Sequence, residues 1–259
     1  MSRQPARYAI IGDPVAHSLS PQMQQAAFDA SGILAIYEAI RVRREDVASA
    51  MERMRAEEYA GWNVTTPLKE LILGQLDGLT AEAAESRSVN CVRDIGGGRY
   101  VGHDTDGNGF IRAVAELWDF RAAGKIIAIF GSGPAARSIA RALERANVGR
   151  IMCWSRNRET ADLIGSAPTR IADLVVAALP AGVEISREAL GCIGEATDIF
   201  DCNYASAFVS VPERVGARRS DGIALLLHQG ALSFEWWTRL PAPIDSMRAA
   251  LDLTLKSKW

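Results

Sequence analysis

Lys69 and Asp106 are the two side chains whose types and settings suit proton transfer. Lys69 closes the run Gly61-Trp62-Asn63-Val64-Thr65-Thr66-Pro67-Leu68-Lys69, and Asp106 stands in Gly102-His103-Asp104-Thr105-Asp106-Gly107. A third motif, Phe130-Gly131-Ser132-Gly133-Pro134-Ala135-Ala136-Arg137, has the form of a phosphate-binding turn. A lysine with a poised pKa can exchange a proton with a substrate oxygen, and a nearby carboxylate favours and orients its ammonium. The two would titrate as a coupled pair. In this order the motifs predict a nicotinamide enzyme: a hydride moves to the ring while the Lys/Asp pair handles the proton.

Other polar side chains stand close to these motifs. Ser18 and Ser20, in Gly12-Asp13-Pro14-Val15-Ala16-His17-Ser18-Leu19-Ser20-Pro21, alternate in direction and offer two hydroxyls to one ligand. Ser20 also reads as a helix N-cap followed by proline at the first helical position. Asn63 and Thr65 alternate in the same way beside Lys69. Pro67 reads as the start of a helix, with Lys69 about one turn inside it.

The glycine turn follows an apolar strand and opens a helix. Gly131 and Gly133 would let the backbone approach a pyrophosphate, while the helix start supplies amide donors at Ser132 and Ala135 and a favourable dipole; Pro134, at its first turn, gives up an N–H that would be unpaired anyway. The sixth position is Ala136, small enough for close helix–strand packing. A cofactor with a free 2′-hydroxyl usually meets a carboxylate about 20 residues past the turn. Here the next strand ends Cys153-Trp154-Ser155-Arg156-Asn157-Arg158, with two arginines and no acid. Guanidinium suits a 2′-phosphate, so NADP is expected over NAD.

These motifs need strand ends to carry them, and the chain supplies alternating β and α patterns over 259 residues. Strands are predicted at 8–12, 35–40, 61–65, 88–92, 99–102, 125–130, 150–154, 174–178 and 197–201. Helices are predicted at 21–30, 44–55, 106–118, 134–145, 229–237 and 244–256. Gly96-Gly97-Gly98 reads as a hairpin turn. A net charge of -2 gives no basic footprint for nucleic acid or a membrane surface. No run is long and apolar enough to span a bilayer, and the first residues lack an apolar signal core, so a cytoplasmic protein is expected. The four cysteines read as reduced core thiols, and the three histidines form no metal-ligand spacing.

With these motifs in place, the chain resembles the shikimate/quinate dehydrogenase family over essentially its whole length. The matching elements are residues 12–21, Asn63 to Lys69, Val89-Asn90, Thr105-Asp106-Gly107 and Gln229-Gly230-Ala231, with Phe234 and Trp237 behind the last. The resemblance implies two α/β domains with a cleft between them. An open substrate-binding domain (1–105) would be completed by C-terminal helices (227–259), and a Rossmann-type NADP-binding domain would span 106–226. It implies that Ser18 and Ser20 hold a substrate carboxylate, that Thr65, Asn90 and Gln229 bind ring hydroxyls, and that Lys69 and Asp106 are the catalytic pair. Tyr204 would lie near carboxylate and nicotinamide, and Gly222 beside the nicotinamide. Arg156 would take the 2′-phosphate, with Arg158 second.

The implied activity is NADP-dependent interconversion of 3-dehydroshikimate and shikimate, a step of aromatic amino-acid biosynthesis, in a monomer or homodimer. The alternatives are a paralogue acting on quinate or a related hydroxylated cyclic acid, and a non-catalytic ligand-binding protein of the same fold. Four departures from the family pattern stand out. Asp104 replaces an asparagine, and Pro134 replaces a glycine. Ala177-Ala178-Leu179-Pro180 replaces Asn-Ala-Thr-Ser. The stretch from Tyr204 to Gly222 is shortened and lacks a Pro-x-x-Thr pattern.

Overall fold

A computed structural model of the chain describes residues 4–180, 182–204 and 218–256. They form two compact units, residues 1–105 with 227–259, and residues 106–226.

In the first unit the order is β1 (Ala6–Gly12), α1 (Ser20–Ala30), β2 (Ala35–Arg41), α2 (Val47–Ala56), β3 (Gly61–Val64), β4 (Gly78–Leu79), α3 (Ala81–Ser86), β5 (Cys91–Asp94) and β6 (Tyr100–His103). The sheet runs β2-β1-β3-β5-β6-β4. β2, β1 and β3 are parallel, whereas β5 and β6 form an antiparallel hairpin whose Gly96, Gly97 and Gly98 all take positive φ. Val47, Ala50, Met51 and Met54 recur at helical spacing on α2 and bury against Ala9, Ile11, Trp62 and Val64. On Tyr8 of β1, the opposite face, lie Phe28 of α1 and Trp237, with ring centroids at 4.6 and 5.1 Å. Trp237 also donates its indole N–H to Val92 O at 2.9 Å.

The second unit contains α4 (Asp106–Trp118), β7 (Ile126–Phe130), α5 (Pro134–Arg145), β8 (Arg150–Trp154), α6 (Arg158–Asp162), β9 (Leu174–Ala177), α7 (Arg187–Leu190), β10 (Asp198–Asp201) and β11 (Arg219–Ser220). Its sheet is wholly parallel, in the order β11-β10-β9-β7-β8. Both faces are covered, as the pleat dictates. Ile127 and Ile129 of β7 enter one core with α4 and α5, while Ala128 and Phe130 enter another with α7. Two further helices, α8 (Ile223–Thr238) and α9 (Ile244–Lys256), end the chain, and Leu227 onward counts with the first unit.

Three local expectations need correction. No helix starts at Pro67: the chain turns through 65–70 and then forms a 3-10 segment, Leu71–Gln75. Leu68, fully buried, closes a turn by donating its N–H to Thr65 O, and Val89 N–H donates to the Lys69 carbonyl, so a tertiary bond takes an acceptor that a helix would use. Ser20 is not a cap but the first residue of α1; Ser18 Oγ accepts its N–H at 3.2 Å. Ser18 lies in a turn closed by its own N–H to Val15 O, so the two serines do not alternate along an extended strand. Sequence patterning also overlooked α3, whose start is capped by the Thr80 hydroxyl.

Candidate active site

Ligands of open α/β sheets bind beyond the carboxyl ends of the strands. In the first unit that edge gathers the end of β1, the end of β3, the start of antiparallel β5 and the end of β6. The loops after β1 and β3 lie side by side, with Thr65 N–H on Ile11 O (2.9 Å) and Asp13 N–H on Thr66 O (3.0 Å). Gly12 permits this, since a Cβ there would stand 2.3 Å from Thr65 Cγ2. An Arg41–Asp13 ion pair at 2.7 Å ties the first loop to β2. Ser18 and Ser20 follow in that loop and at the head of α1, and Thr65 and Lys69 in the loop after β3.

A buried polar chain runs behind them. The Asn90 amide donates to Thr105 Oγ1 (2.8 Å) and Gln229 Oε1 (3.3 Å), and its Oδ1 accepts Thr105 N–H (2.8 Å). Thr105 Oγ1 in turn bonds Gln229 O at 3.0 Å. Asn63 takes the Tyr37 hydroxyl on Oδ1 (2.7 Å) and donates to Asn90 O (3.0 Å) and Ser233 Oγ (2.9 Å). Asn63 and Asn90 are both buried, 4% and 2% exposed, and their amides are held by these bonds. Thr105, Tyr37 and Ser233 were not singled out from sequence, although Ser233 lies one helical turn beyond Gln229. Asp104, the departure nearest this edge, is buried and accepts a hydrogen bond from Ser86 Oγ on α3. Asp106 follows Thr105 directly and opens α4, in the second unit.

The strand order of the second unit reverses at β7, with β8 on one side and β9 on the other. Its nucleotide crevice therefore belongs at the turns after β7 and β9. Gly131, at φ 121°, would place a Cβ 2.3 Å from Ala178 O, so packing alone demands glycine there. Gly133 differs: a Cβ on it meets nothing within 4 Å, which leaves open space over the turn. No side chain caps the start of α5, and Pro134 occupies its first turn. These open amides and space fit a pyrophosphate. Ala136 is fully buried in the core.

Ser155 and Arg156 lie at the end of β8. Arg156 is exposed and makes no ion pair among the described residues, whereas Arg158 pairs with Asp162 at 2.9 Å. Beyond β9, Asn203 donates to Leu179 O (2.8 Å) and to Asp201 Oδ1 (2.9 Å). It ties down the loop that lacks the family's polar side chains. Burial pushes the Asp201 carboxyl up from its ordinary value. Gly222 N–H bonds Asn203 O at 3.0 Å, and a Cβ on Gly222 would sit 2.3 Å from Cys202 O. Tyr204 is half-buried; the shortened stretch after it lies, from 205 to 217, outside the described residues.

Fold and site chemistry define an oxidoreductase of the dinucleotide-binding α/β class. The family model of the shikimate dehydrogenase substrate binding domain matches residues 10–92, and that of the shikimate 5'-dehydrogenase C-terminal domain matches 222–251. Shikimate dehydrogenase (NADP(+)) of Desulfitobacterium hafniense is 34% identical, covering 94% of this chain and 96% of its own. That of Geobacter metallireducens is 35% identical, covering 95% and 96%. Shikimate 5-dehydrogenase of Thermus thermophilus, solved in complex with NADP(H) and shikimate, superposes with a TM-score of 0.83 at 30% identity, covering 95% and 98%. The chain belongs to the shikimate dehydrogenase family. No helix among the described residues is long and apolar enough to cross a membrane, and no cluster of metal-ligating side chains occurs among them.

Proposed function

We propose that this protein catalyses the NADP-dependent interconversion of 3-dehydroshikimate and shikimate. The convergence of the Ser18/Ser20 loop, the Thr65–Lys69 turn and the Asn90–Thr105–Gln229 chain at one sheet edge carries this reading. Relatives named for that reaction support it, as does the Thermus structure holding shikimate and NADP(H).

In this reading residues 1–105 and 227–259 bind the substrate, and residues 106–226 bind the dinucleotide. Ser18 and Ser20 hold the carboxylate, and Thr65, Asn90 and Gln229 the ring hydroxyls. Lys69 takes the proton of the alcohol as its C–H hydride departs, and Asp106 orients the ammonium so formed. Gly131 to Ala135 would hold the pyrophosphate, and Ser155 and Arg156 the 2′-phosphate, with Arg158 in a lesser part because of its pair with Asp162. Tyr204 and Gly222 border the nicotinamide, which when bound supplies the hydride acceptor. Asn63, which also donates to Asn90 O, completes the substrate-binding set beside Thr65. The four free cysteines suit a reducing compartment, so the work is placed in the cytoplasm, in a monomer or homodimer.

The test is nicotinamide absorbance with shikimate or quinate and NADP or NAD, for the parent and Lys69→Ala. Turnover should favour shikimate with NADP. The variant should lose about 10²- to 10⁴-fold in kcat with NADP affinity unchanged. Turnover with quinate alone, or a variant whose NADP affinity falls as far as its kcat, would refute the assignment.

A further inference from the structure

Three hydroxyls link the turn after β7 to the loop after β8. Ser132 donates to Ser155 Oγ at 2.9 Å, and Ser132 Oγ lies 2.6 Å from Thr160 Oγ1. Each hydroxyl has one hydrogen to give and can accept two. The Ser132 hydrogen is engaged on Ser155, so the contact with Thr160 uses the hydrogen of Thr160. That contact is shorter than the alternative from Thr160 Oγ1 to Asn157 O, at 3.0 Å. Ser155 Oγ already accepts from Ser132 and, at 3.3 Å, from Asn157 N–H. With both acceptor positions filled, the Ser155 hydrogen has to point to a group outside the network. The direction of donation therefore runs Thr160 to Ser132 to Ser155 and outward.

The turn itself is held: Arg137 donates to Ser132 O at 3.2 Å, and Asn157 caps α6 by accepting Thr160 N–H at 3.2 Å. A fixed O–H donor on the residue that precedes an exposed arginine suits an acceptor with negative charge, where a hydrogen bond is roughly twice as strong as to a neutral oxygen. A ribose hydroxyl gains less from the same donor.

We propose that Thr160, acting through Ser132, fixes Ser155 as a one-way donor and so sets the preference of this site for a dinucleotide carrying a 2′-phosphate. Thr160 and Ser132 are positioning residues in this role. The proposal rests on the dinucleotide reading above and adds to it a residue that makes no contact with the phosphate.

Titration calorimetry of the intact chain with NADP+ and with NAD+ tests it, without turnover. Thr160→Val should weaken NADP+ by about tenfold, a charge-assisted bond's worth, and change NAD+ by less than about twofold. Thr160→Ser should keep parental affinity. Ser155→Ala should lose as much as Thr160→Val, and the double variant should lose no more than either alone. Should Thr160→Val fail to fold, Thr160→Ala carries the same expectation. Equal loss of both dinucleotides, or no loss of either, would overturn the proposal. A parent chain that binds neither overturns the dinucleotide reading instead.

Discussion

The amide of Asn63 shows how one buried side chain sets the position of others. It takes the Tyr37 hydroxyl and reaches both Asn90 O and Ser233 Oγ. Removing one partner of a buried bond costs more than the bond is worth, because the other is left unpaired. Tyr37→Phe orphans one acceptor and should cost about 1–2 kcal/mol, whereas Asn63→Leu orphans several groups and should cost about 3 kcal/mol or more. The double variant should cost less than the sum, since the two residues share a bond. Urea titrations of the four proteins check this, and strict additivity would show that the contact contributes nothing. Asp104 belongs to the same scale. Type alone presents it as a second carboxylate beside the chemistry; the fold hands it the Ser86 hydroxyl.

At the scale of elements, two glycines two residues apart have opposite reasons for being there. Gly131 is required by backbone geometry, with φ 121° and the Ala178 carbonyl in the way of any Cβ. Gly133 takes φ −75° and ψ −175°, open to any residue, with nothing in reach of a Cβ. Gly131→Ala should therefore destabilise by about 1–3 kcal/mol through clash and strain. Gly133→Ala should change stability by less than about 0.5 kcal/mol, yet weaken NADP+ by roughly tenfold or more, a loss of about 1.4 kcal/mol or more. Thermal melts beside calorimetry separate the two; unchanged affinity in Gly133→Ala would remove the pyrophosphate from this turn. Periodicity and glycine placement made the strand–turn–helix legible in sequence. They misled at Pro67, where the run Leu68 to Leu73 patterns as a helix. Burial of Leu68 and Ile72, and the Val89 N–H on Lys69 O, hold a turn instead.

For the whole molecule, the titrating groups predict a stability profile. Burial lowers the His103 pKa, so the unfolded chain binds its proton more tightly and stability falls as pH drops through the ordinary histidine value of about 6.5. At Glu38 burial opposes ionisation, but bonds from Tyr59 and Arg7 outweigh it. At Asp173 burial is likewise outweighed, by Ile126 N–H and Lys125, and Tyr100 N–H and Arg55 lower Asp77. The stability these carboxylates contribute is present above their unfolded pKa range and lost as pH falls through their lowered folded values. Asp201, raised by burial, has the opposite sign: its contribution is present at low pH and lost as pH rises through its folded value. The melting temperature should thus fall in two stages on acidification, and His103→Gln should abolish the upper one. Persistence of that stage in the variant would remove His103 as its source.

Sequence alone determined the alternation of strands and helices, the apolar faces that bury them and the family, because hydrophobic period and short motifs are local and survive divergence. Only tertiary structure decided that Lys69 sits in a turn, that Ser20 lies inside α1, that Asn63 bonds Tyr37, Asn90 and Ser233, and that Ser132, Ser155 and Thr160 share hydrogens. Those outcomes depend on which buried donor meets which acceptor across residues distant in the chain, and neither propensity nor periodicity carries that information.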